Sequence, residues 1–336
     1  MKIVVESMKN NAGDHLFFEE TSSADYVENS ICDGCNTKMK AIAIIENLDG
    51  KVGLITGLCS ECGYIKRINN LSVEAYSSHF SNKWLVRREE EIVENKHVYN
   101  RLKPYIQSKG KVLDVGCGLG GSLLSFHNLG YDVYGVEPSK HRSKKGREIM
   151  KNIETGNAEE YLTSSNNIFE AIYFFDVLQY VVNPFAVLEM AISHLSDTGK
   201  IYIKMGAFGH KSNYSQFSHI GVIRNVVNLY ALKSFFERMK VYPVYYNAMP
   251  CEFVLSKQKN EKTDDILKSA LKTDEVEVKK FIKRTLKINR LKVFGNITLT
   301  YSGRKTSLIL QRPIGGLLPV VFCHGASKNK VPLLLK

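Results

Sequence analysis

The chain has 336 residues, of which 44% are apolar, 24% are charged and seven are cysteine. This composition is that of a globular protein with about two domains, and it excludes disordered, collagen-like and coiled-coil chains. The formal net charge of +12 is unevenly spread, because residues 1–258 carry 29 basic and 28 acidic side chains whereas residues 259–336 carry 17 and 6.

No apolar stretch approaches the length of a membrane span. The longest, such as residues 315–323, fall far below the ~20 residues that a transmembrane helix needs. Residues 1–11 lack the apolar region of a signal peptide. We therefore expect a cytoplasmic protein.

Four of the cysteines form two C-x-x-C pairs near the amino end of the chain. Cys32 and Cys35 make the first pair, Cys59 and Cys62 make the second, and 23 residues separate the pairs. Two pairs at this separation are typical of one tetrahedral zinc site. Apolar runs flank the hairpin signal Asp49-Gly50 between the pairs, as in a zinc ribbon. Four protein ligands leave no open position on the metal, so this zinc would be structural.

Two other interpretations of these cysteines are weaker. Disulfides are disfavoured in a chain without an export signal, and a thioredoxin-like redox site would need only one C-x-x-C pair on a βαβ unit. The remaining cysteines, Cys117, Cys251 and Cys323, are scattered along the chain. Their default interpretation is that of small buried apolar side chains.

The segment after the ribbon changes in pattern. Residues 84–106 space their apolar side chains loosely along one helical face, with Pro104 near the end. This pattern predicts a helix that leads into the next domain.

A glycine-rich turn follows and is the most informative stretch of the sequence. An apolar strand at 112–115 runs into Gly116, Gly118, Gly120 and Gly121, and a helical pattern comes next. The glycines alone also fit the dinucleotide fingerprint. Asp114 discriminates between a dinucleotide and a cationic ligand, because a carboxylate beside the turn repels a pyrophosphate and attracts a cation.

The run Asp114-x-Gly116-x-Gly118-x-Gly120 closely resembles motif I of the class I S-adenosylmethionine-dependent methyltransferases. Their cofactor carries an ammonium and a sulfonium and has no phosphate, which explains the aspartate. Glu137 ends the next strand, 21 positions after Gly116, where a carboxylate can accept hydrogen bonds from both ribose hydroxyls. The resemblance covers about residues 111–257. It implies an α/β fold with a Rossmann-like, mostly parallel sheet that an antiparallel hairpin closes.

The resemblance also implies a set of cofactor-binding residues. Asn157 stands where relatives commonly have an aspartate facing the adenine amino group, so this chain departs from the family pattern at that position. The implied set is Asp114, Gly116, Cys117, Gly118, Gly120, Glu137, Asn157, Ala158 and Asp176.

The acceptor and a general base are expected on loops at the carboxyl ends of the strands. The loop after the fourth strand offers Asp176, Gln179 and Tyr180, where many relatives have Glu-His in place of Gln179-Tyr180. The loop after the fifth strand, 205–220, contains His210 and His219 among aromatic residues. The resemblance makes His219 a plausible base, although it can equally cap or pack the following helix. The candidate catalytic residues are therefore His219, Tyr180 and His210.

The basic character of the chain belongs to its carboxyl-terminal segment. Residues 278–290 predict an amphipathic helix with one apolar and one basic side. Such a helix can lie on an anionic membrane surface, bind phosphates of a nucleic acid, or pack its apolar stripe on the catalytic domain. A hairpin predicted from 296–301 and 306–310 favours packing.

The sequence therefore predicts a zinc-ribbon domain at 1–70, a helical connector at 71–110, a methyltransferase domain at 111–258 and a basic α+β extension at 259–336. This order resembles bacterial methyltransferases that modify sugars or other intermediates of surface polysaccharides and natural products. The extension is too short for the second α/β domain of sugar C-methyltransferases, so we expect O-methylation of a small-molecule or saccharide acceptor. An RNA methyltransferase that uses the zinc module and basic tail is the alternative, and a non-catalytic cofactor-binding scaffold is the third possibility.

Overall fold

The computed structural model describes residues 2–5, 8–9, 15–16, 30–46, 52–69, 92–205, 224–247, 251–290, 300–301, 304–305 and 308–310. Within these ranges, none of the helices has both the length and the apolar character that crossing a bilayer requires.

The described chain begins with strands, alternates strands and helices through its middle, and ends with a long helix followed by three short strands. The strands are β1 (Lys2–Val5), β2 (Met8–Lys9), β3 (His15–Leu16), β4 (Met39–Glu46), β5 (Val52–Cys59), β6 (Ile65–Arg67), β7 (Lys111–Val115), β8 (Asp132–Glu137), β9 (Ile153–Thr155), β10 (Phe169–Phe175), β11 (Leu195–Met205), β12 (Asn225–Val226), β13 (Tyr242–Asn247), β14 (Cys251–Ser256), β15 (Thr300–Tyr301), β16 (Arg304–Lys305) and β17 (Leu308–Leu310). The helices are α1 (His97–Leu102), α2 (Gly121–His127), α3 (Lys140–Arg147), α4 (Ala158–Ser164), α5 (Pro184–Ser193), α6 (Leu229–Met239) and α7 (Thr263–Arg290).

The central sheet has seven strands in the order β13-β14-β11-β10-β7-β8-β9. Strands β11, β10, β7, β8 and β9 run parallel, and β14 is antiparallel to both β11 and β13. Its middle strand β10 is almost continuously apolar, as expected for a strand that is covered on both faces. The predicted α/β architecture, with a mostly parallel sheet and a closing antiparallel hairpin, is therefore confirmed.

Helices pack on both faces of this sheet. On one face, Val98 of α1 and Phe126 of α2 pack with Tyr173 and Tyr202. On the other face, helices α5 and α6 contribute Phe185 and other side chains to a larger core. The strand order reverses between β7 and β10, because β8 and β9 lie on one side of β7 whereas β10 and β11 lie on the other. Ligands of open α/β sheets bind at the carboxyl ends of the strands at such a point.

A second sheet, in the order β12-β6-β5-β4-β1-β17, contains the cysteine ribbon. It is joined to the central domain, because Val226 of β12 pairs with Ile65 of β6 and the ring of Tyr64 packs edge-on against Phe185 at 5.2 Å. The Tyr64 hydroxyl donates a hydrogen bond to the Asn225 side chain. The ribbon and the sheet-covering helices thus share one core.

Helix α7 is longer than the sequence pattern indicated. It begins at Thr263, with Asp264 and Asp265 in its first turn where acidic groups are favourable, rather than at 278. Val278 and Ile282 are buried with apolar side chains of the ribbon sheet. The described part of the apolar stripe therefore packs within the protein.

Three other predicted elements differ in extent. The helix expected over 84–106 is confined, among the described residues, to His97–Leu102, because the preceding backbone hydrogen-bonds to the glycine turn through Asn95. The sequence also predicts a helix over 225–239, but this helix begins at Leu229, because Asn228 caps it and Asn225 belongs to β12. In the tail, β15 pairs with β16, whereas β17 pairs with β1 instead of completing the predicted hairpin.

Candidate active site

The glycine turn between β7 and α2 takes a backbone conformation that other residues rarely adopt. Gly116, Gly118 and Gly120 have φ values of +76°, +59° and +86°. A Cβ on Gly116 would lie 2.5 Å from Cγ2 of Val177, and one on Gly120 would collide with Met150. Glycine is therefore favoured by conformation at all three positions, and space also requires it at Gly116 and Gly120.

A cavity of about 320 Å³ opens in front of this turn. This volume is at the lower end of the range for small-molecule sites. The residues that line it are Val93, Asn95, Asp114, Gly116, Cys117, Gly118, Leu119, Gly121, Ser122, Arg142 and Phe175. The turn thus forms one wall of a site whose size suits a nucleoside-like molecule.

Asp114 places a buried carboxyl group against the cavity. Only 3% of the residue is exposed, and burial raises its pKa well above the usual range for aspartate. The Tyr173 hydroxyl offsets part of this effect, whereas the charge of Glu137 adds to it. A bound cation would favour the ionised carboxylate, so the local chemistry suits a positively charged ligand.

Glu137 lies at the end of β8 and is also buried. Its Oε2 accepts a hydrogen bond from the backbone N–H of Gly118 at 2.9 Å, and its Oε1 accepts one from Ser139 N–H at 3.0 Å. An ionised carboxylate has about four acceptor positions, so it retains capacity for ligand hydroxyls.

Cys117 shares the electrostatic environment of these two carboxyl groups. Burial raises the pKa of the Cys117 thiol, and the charges of Asp114 and Glu137 raise it further. The side chain therefore stays a neutral thiol at physiological pH. The thiol adds no charge, so the acidic groups beside the turn are Asp114 and Glu137.

Comparison with known proteins identifies this part of the chain. Residues 87–240, just under half of the chain, match the model of a family described as a methyltransferase domain. This region is therefore similar to methyltransferase domains. No curated protein matches the sequence.

Several solved structures resemble the chain at low sequence identity. A S-adenosylmethionine-dependent methyltransferase from Clostridium acetobutylicum is 8% identical, with a TM-score of 0.41 over 54% of this chain and 98% of its own. DesVI of Streptomyces venezuelae is 13% identical, with a TM-score of 0.40 over 56% of this chain and 100% of its own. CalS10, an amino pentose methyltransferase from Micromonospora echinaspora, is 13% identical, with a TM-score of 0.39 over 56% of this chain and 99% of its own.

The predicted cofactor residues of the methyltransferase domain fall into two groups. Asp114, Gly116, Cys117 and Gly118 line the cavity, and Glu137 binds the turn directly. Four others do not line it: Gly120, Asn157, Ala158 and Asp176. The structure thus brings together the residues around the glycine turn.

Each residue of the second group has a local structural role. Gly120 precedes α2, and Ala158 is buried. The Asn157 side chain caps α4 by accepting a hydrogen bond from Glu160 N–H at 2.8 Å. Asp176 pairs with Lys204 at 2.7 Å between carboxylate and ammonium.

The candidate catalytic residues are less well placed by the structure. His210 and His219 lie outside the described residues. Burial is the main factor that raises the pKa of Tyr180, which follows β10. Its hydroxyl therefore remains protonated and is better suited to donating a hydrogen bond than to accepting a proton.

The sequence did not indicate the part of the cavity lining that lies outside the glycine turn. Val93 and Asn95 line the cavity, and Asn95 N–H donates to the Gly121 carbonyl at 2.9 Å. Arg142 of α3 and Phe175 at the end of β10 complete the lining. Of these lining residues, the sequence could have indicated only Phe175, because it is the last residue of a strand whose carboxyl end was expected at the site.

The four ribbon cysteines converge on one point, as their spacing predicted. Their sulfur atoms all lie within 4.8 Å of one another, with Cys32–Cys62 at 3.6 Å, Cys35–Cys59 at 3.4 Å and Cys35–Cys62 at 3.8 Å. Zinc–sulfur bonds of ~2.3 Å in a tetrahedron place sulfur atoms ~3.8 Å apart, whereas a disulfide requires ~2.05 Å. The cluster therefore fits a tetrahedral metal ion and does not fit two disulfides.

Proposed function

We propose that the protein transfers a methyl group from S-adenosylmethionine to a hydroxyl group of a sugar or another biosynthetic intermediate of a surface polysaccharide or natural product. The observation that carries the cofactor assignment is the pair of buried carboxyl groups, Asp114 and Glu137, at the glycine turn. Two acidic groups beside one cavity favour a cationic ligand over a pyrophosphate.

In this proposal each carboxyl group has its own partner on the cofactor. Asp114 faces the cavity from the end of β7 and would hold the ammonium of the methionine part. Glu137 would accept hydrogen bonds from the ribose hydroxyls. The backbone of Gly116 and Gly118 permits close approach, and Asn157 with Ala158 would border the adenine.

The acceptor would bind beyond Phe175, on the side of the cavity away from Glu137. Lys204 and Asp176 form an ion pair there, and the Lys204 ammonium lies 4.0 Å from the centre of the Phe175 ring. This polar surface suits a hydroxylated acceptor better than an apolar one. His219, His210 and Tyr180 are the catalytic candidates that the sequence supplies for this side.

Zinc in the ribbon would be structural. Cys32, Cys35, Cys59 and Cys62 would hold it, and four thiolate ligands would leave no position on the metal for a reacting water or substrate. The ribbon at 1–70, the connector at 71–110, the catalytic domain at 111–258 and the extension at 259–336 are the proposed domains.

An anionic partner of the extension is a further part of the sequence interpretation. Lys279, Lys280 and Lys283 of α7 are exposed on the side away from Val278 and Ile282. Such a surface can attract a membrane or a nucleic acid from solution. No contact among the described residues favours RNA as the methyl acceptor.

Two measurements test the proposed function in sequence. Calorimetry should show saturable binding of S-adenosylmethionine and of S-adenosylhomocysteine, and no binding of a nicotinamide dinucleotide. Mass spectrometry of small molecules from cells with and without the protein should then reveal a compound that is heavier by one methylene unit. Binding of the dinucleotide instead would refute the cofactor assignment, and methyl groups found only in RNA would refute the small-molecule acceptor.

A further inference from the structure

We propose that His97, held by Glu252, is the general base that takes the proton from the acceptor hydroxyl. The inference rests on the proposed function and assigns the base to a residue that the sequence pattern did not single out. It is carried by a polar cluster on the face of the sheet next to the cofactor cavity.

The cluster joins the first residue of α1 to two strands that are distant in sequence. His97 Nε2 lies 3.0 Å from Glu252 Oε1 on β14 and 3.1 Å from the Tyr202 hydroxyl on β11. Glu252 is only 1% exposed, whereas the His97 side chain is 40% exposed. A buried carboxylate thus fixes an imidazole that still reaches the surface.

Arg101 pairs with the buried carboxyl group of Glu252. One of its terminal nitrogens lies 3.0 Å from Glu252 Oε2, and the guanidinium stacks over the Tyr245 ring at 4.3 Å from the ring centre. Burial next to Glu252 raises the pKa of Tyr202, so its hydroxyl also keeps its proton. His97 thus faces a carboxyl group that is paired with a guanidinium.

This arrangement selects one tautomer of the histidine. A carboxylate can only accept hydrogen bonds, so Nε2 of His97 carries the proton, and Nδ1 of the neutral ring is an acceptor. Both hydrogen bonds that the described residues make to the ring involve Nε2. Nδ1 is thus available to a substrate, in the logic by which a carboxylate orients a catalytic histidine.

The position of the cluster matches the acceptor side of the cavity. The rings of His97 and Phe175 lie 5.7 Å apart and edge to face, and Phe175 lines the cavity. Asn95, two residues before His97, lines it as well. Glu252 pairs in register with Lys204 near the carboxyl end of β11, at the edge of the sheet that carries the glycine turn.

In the proposed step, His97 Nδ1 accepts the proton of the acceptor hydroxyl as the oxygen attacks the methyl carbon. The new O–C bond forms while the S–C bond breaks, and its electron pair goes to sulfur, which leaves as neutral S-adenosylhomocysteine. Glu252 stabilises the positive charge that develops on the imidazole ring. The proton thus ends on His97, the methyl group ends on the acceptor oxygen, and the sulfur loses its positive charge.

The pH dependence of this step involves the charged groups around His97. Glu252, Tyr202 and Lys204 belong to the strands against which α1 packs, and Arg101 lies one turn along the same helix. Glu94 and Lys96 pair with each other in the preceding segment, Asp176 pairs with Lys204, and Tyr245 faces Arg101 from β13. We expect the rate of methyl transfer to fall at acidic pH, because a general base must be unprotonated to accept the proton.

The first test needs no acceptor. The full chain, loaded with zinc and S-adenosylhomocysteine, is labelled with ¹⁵N-histidine, and the His97 signals are assigned by their loss in His97→Gln. Nuclear magnetic resonance should show a neutral ring protonated at Nε2 above neutral pH. A ring protonated at Nδ1 would overturn the proposal, because that nitrogen could not act as a base.

The second test measures transfer of labelled methyl groups from S-adenosylmethionine into a filtered bacterial metabolite extract. We expect His97→Gln to lower the rate by about 100-fold, the usual contribution of a general base, while the Kd for S-adenosylhomocysteine changes less than about threefold. Glu252→Gln should lower the rate mainly through kcat. His127→Gln, at the exposed end of α2, is the matched control and should keep the wild-type rate.

The outcomes separate this proposal from the proposed function. Transfer by His97→Gln within about threefold of wild type, or loss of the acidic limb of the pH profile in His219→Gln instead, would overturn the assignment of the base. A wild-type protein that binds S-adenosylhomocysteine but labels nothing would refute the hydroxyl acceptor, and the resonance measurement would still decide the state of His97.

Discussion

The carboxylate of Glu137 accepts a hydrogen bond from the backbone N–H of Gly118 at 2.9 Å and thereby ties the end of β8 to the glycine turn after β7. Its other oxygen binds the backbone of Ser139, immediately before α3. One buried side chain thus holds the glycine turn and the start of the next helix in place. The same carboxylate is the proposed partner of the cofactor ribose, so its structural and binding roles are coupled.

We expect Glu137→Gln to weaken binding of S-adenosylhomocysteine by about tenfold, because hydrogen bonds to a charged acceptor are stronger than those to a neutral amide. Calorimetry measures the change. Glu154→Gln, on the exposed part of neighbouring β9, is the matched control and should leave the affinity unaltered. An equal loss in both variants would contradict the role assigned to Glu137.

Cofactor affinity should depend on pH through Asp114. Burial raises the pKa of this carboxyl group, and binding of an ammonium favours its ionised form. Affinity is therefore complete above the raised pKa of the free protein and is lost as pH falls through it, at a higher pH than for an exposed aspartate.

Calorimetric titrations with S-adenosylhomocysteine across the pH range check this dependence, with Asp114→Asn expected to bind weakly and without the same pH response. Asp132→Asn, an exposed carboxyl group on β8, should behave as wild type. If Asp114→Asn retained the full pH dependence, another group would be responsible.

A side chain at Gly116 should destabilise the glycine turn. Gly116→Ala adds a Cβ at positive φ and 2.5 Å from Val177, so we expect a loss of about 2–4 kcal/mol in unfolding free energy and of cofactor binding. Gly130→Ala also has positive φ, but its Cβ would lie 3.9 Å from Lys109 Nζ and make no clash. Chemical denaturation should therefore show a loss of only about 1 kcal/mol for Gly130→Ala, with cofactor affinity retained. Similar affinity losses would mean that the turn does not form the binding wall.

The residues that sequence reasoning found are those whose chemistry is tied to local spacing. Asp114, Gly116 and Glu137 stand at strand ends within one βαβ unit, and the cysteine pairs lie on a local hairpin, so short-range patterns were sufficient. His97 and Glu252 lie 155 residues apart and meet only through the sheet order. No local pattern distinguishes them from an exposed helical histidine and a polar strand residue.

The same distinction explains the elements whose bounds were missed. Segment 92–96 has no regular secondary structure and binds the glycine turn through Asn95. Strand β12 pairs with β6 across the domain boundary. Tertiary hydrogen bonds decide both. The sequence analysis predicted only the part of α7 that has one apolar and one basic side. The helix begins earlier, at Thr263, with acidic residues in its first turn.

The cysteine cluster predicts a dependence of stability on zinc. Removing the metal with a chelator should lower the melting temperature, because metal binding contributes to folding and the ribbon shares a core with Phe185. Cys62→Ser should lower zinc content and stability. Cys251 does not belong to the cluster, so Cys251→Ser is the control and should retain zinc. Metal analysis and thermal unfolding test this. A fully loaded Cys62→Ser protein would argue against four-cysteine ligation.

The packing of α7 on the ribbon gives the last prediction. Cγ1 of Val278 occupies the space that a Cβ on Gly63, next to the ligand Cys62, would fill, and the valine is fully buried. Val278→Asp would place a charge in this apolar cluster, so we expect it to lose more than about 3 kcal/mol in unfolding free energy. Val276→Asp, two residues earlier and 46% exposed, should change it by less than about 0.5 kcal/mol. Denaturant titration compares the two variants, and equal effects would show that α7 does not stabilise the ribbon. A large difference would mean that the carboxyl-terminal extension supports the zinc module, whatever anionic surface its exposed lysines meet.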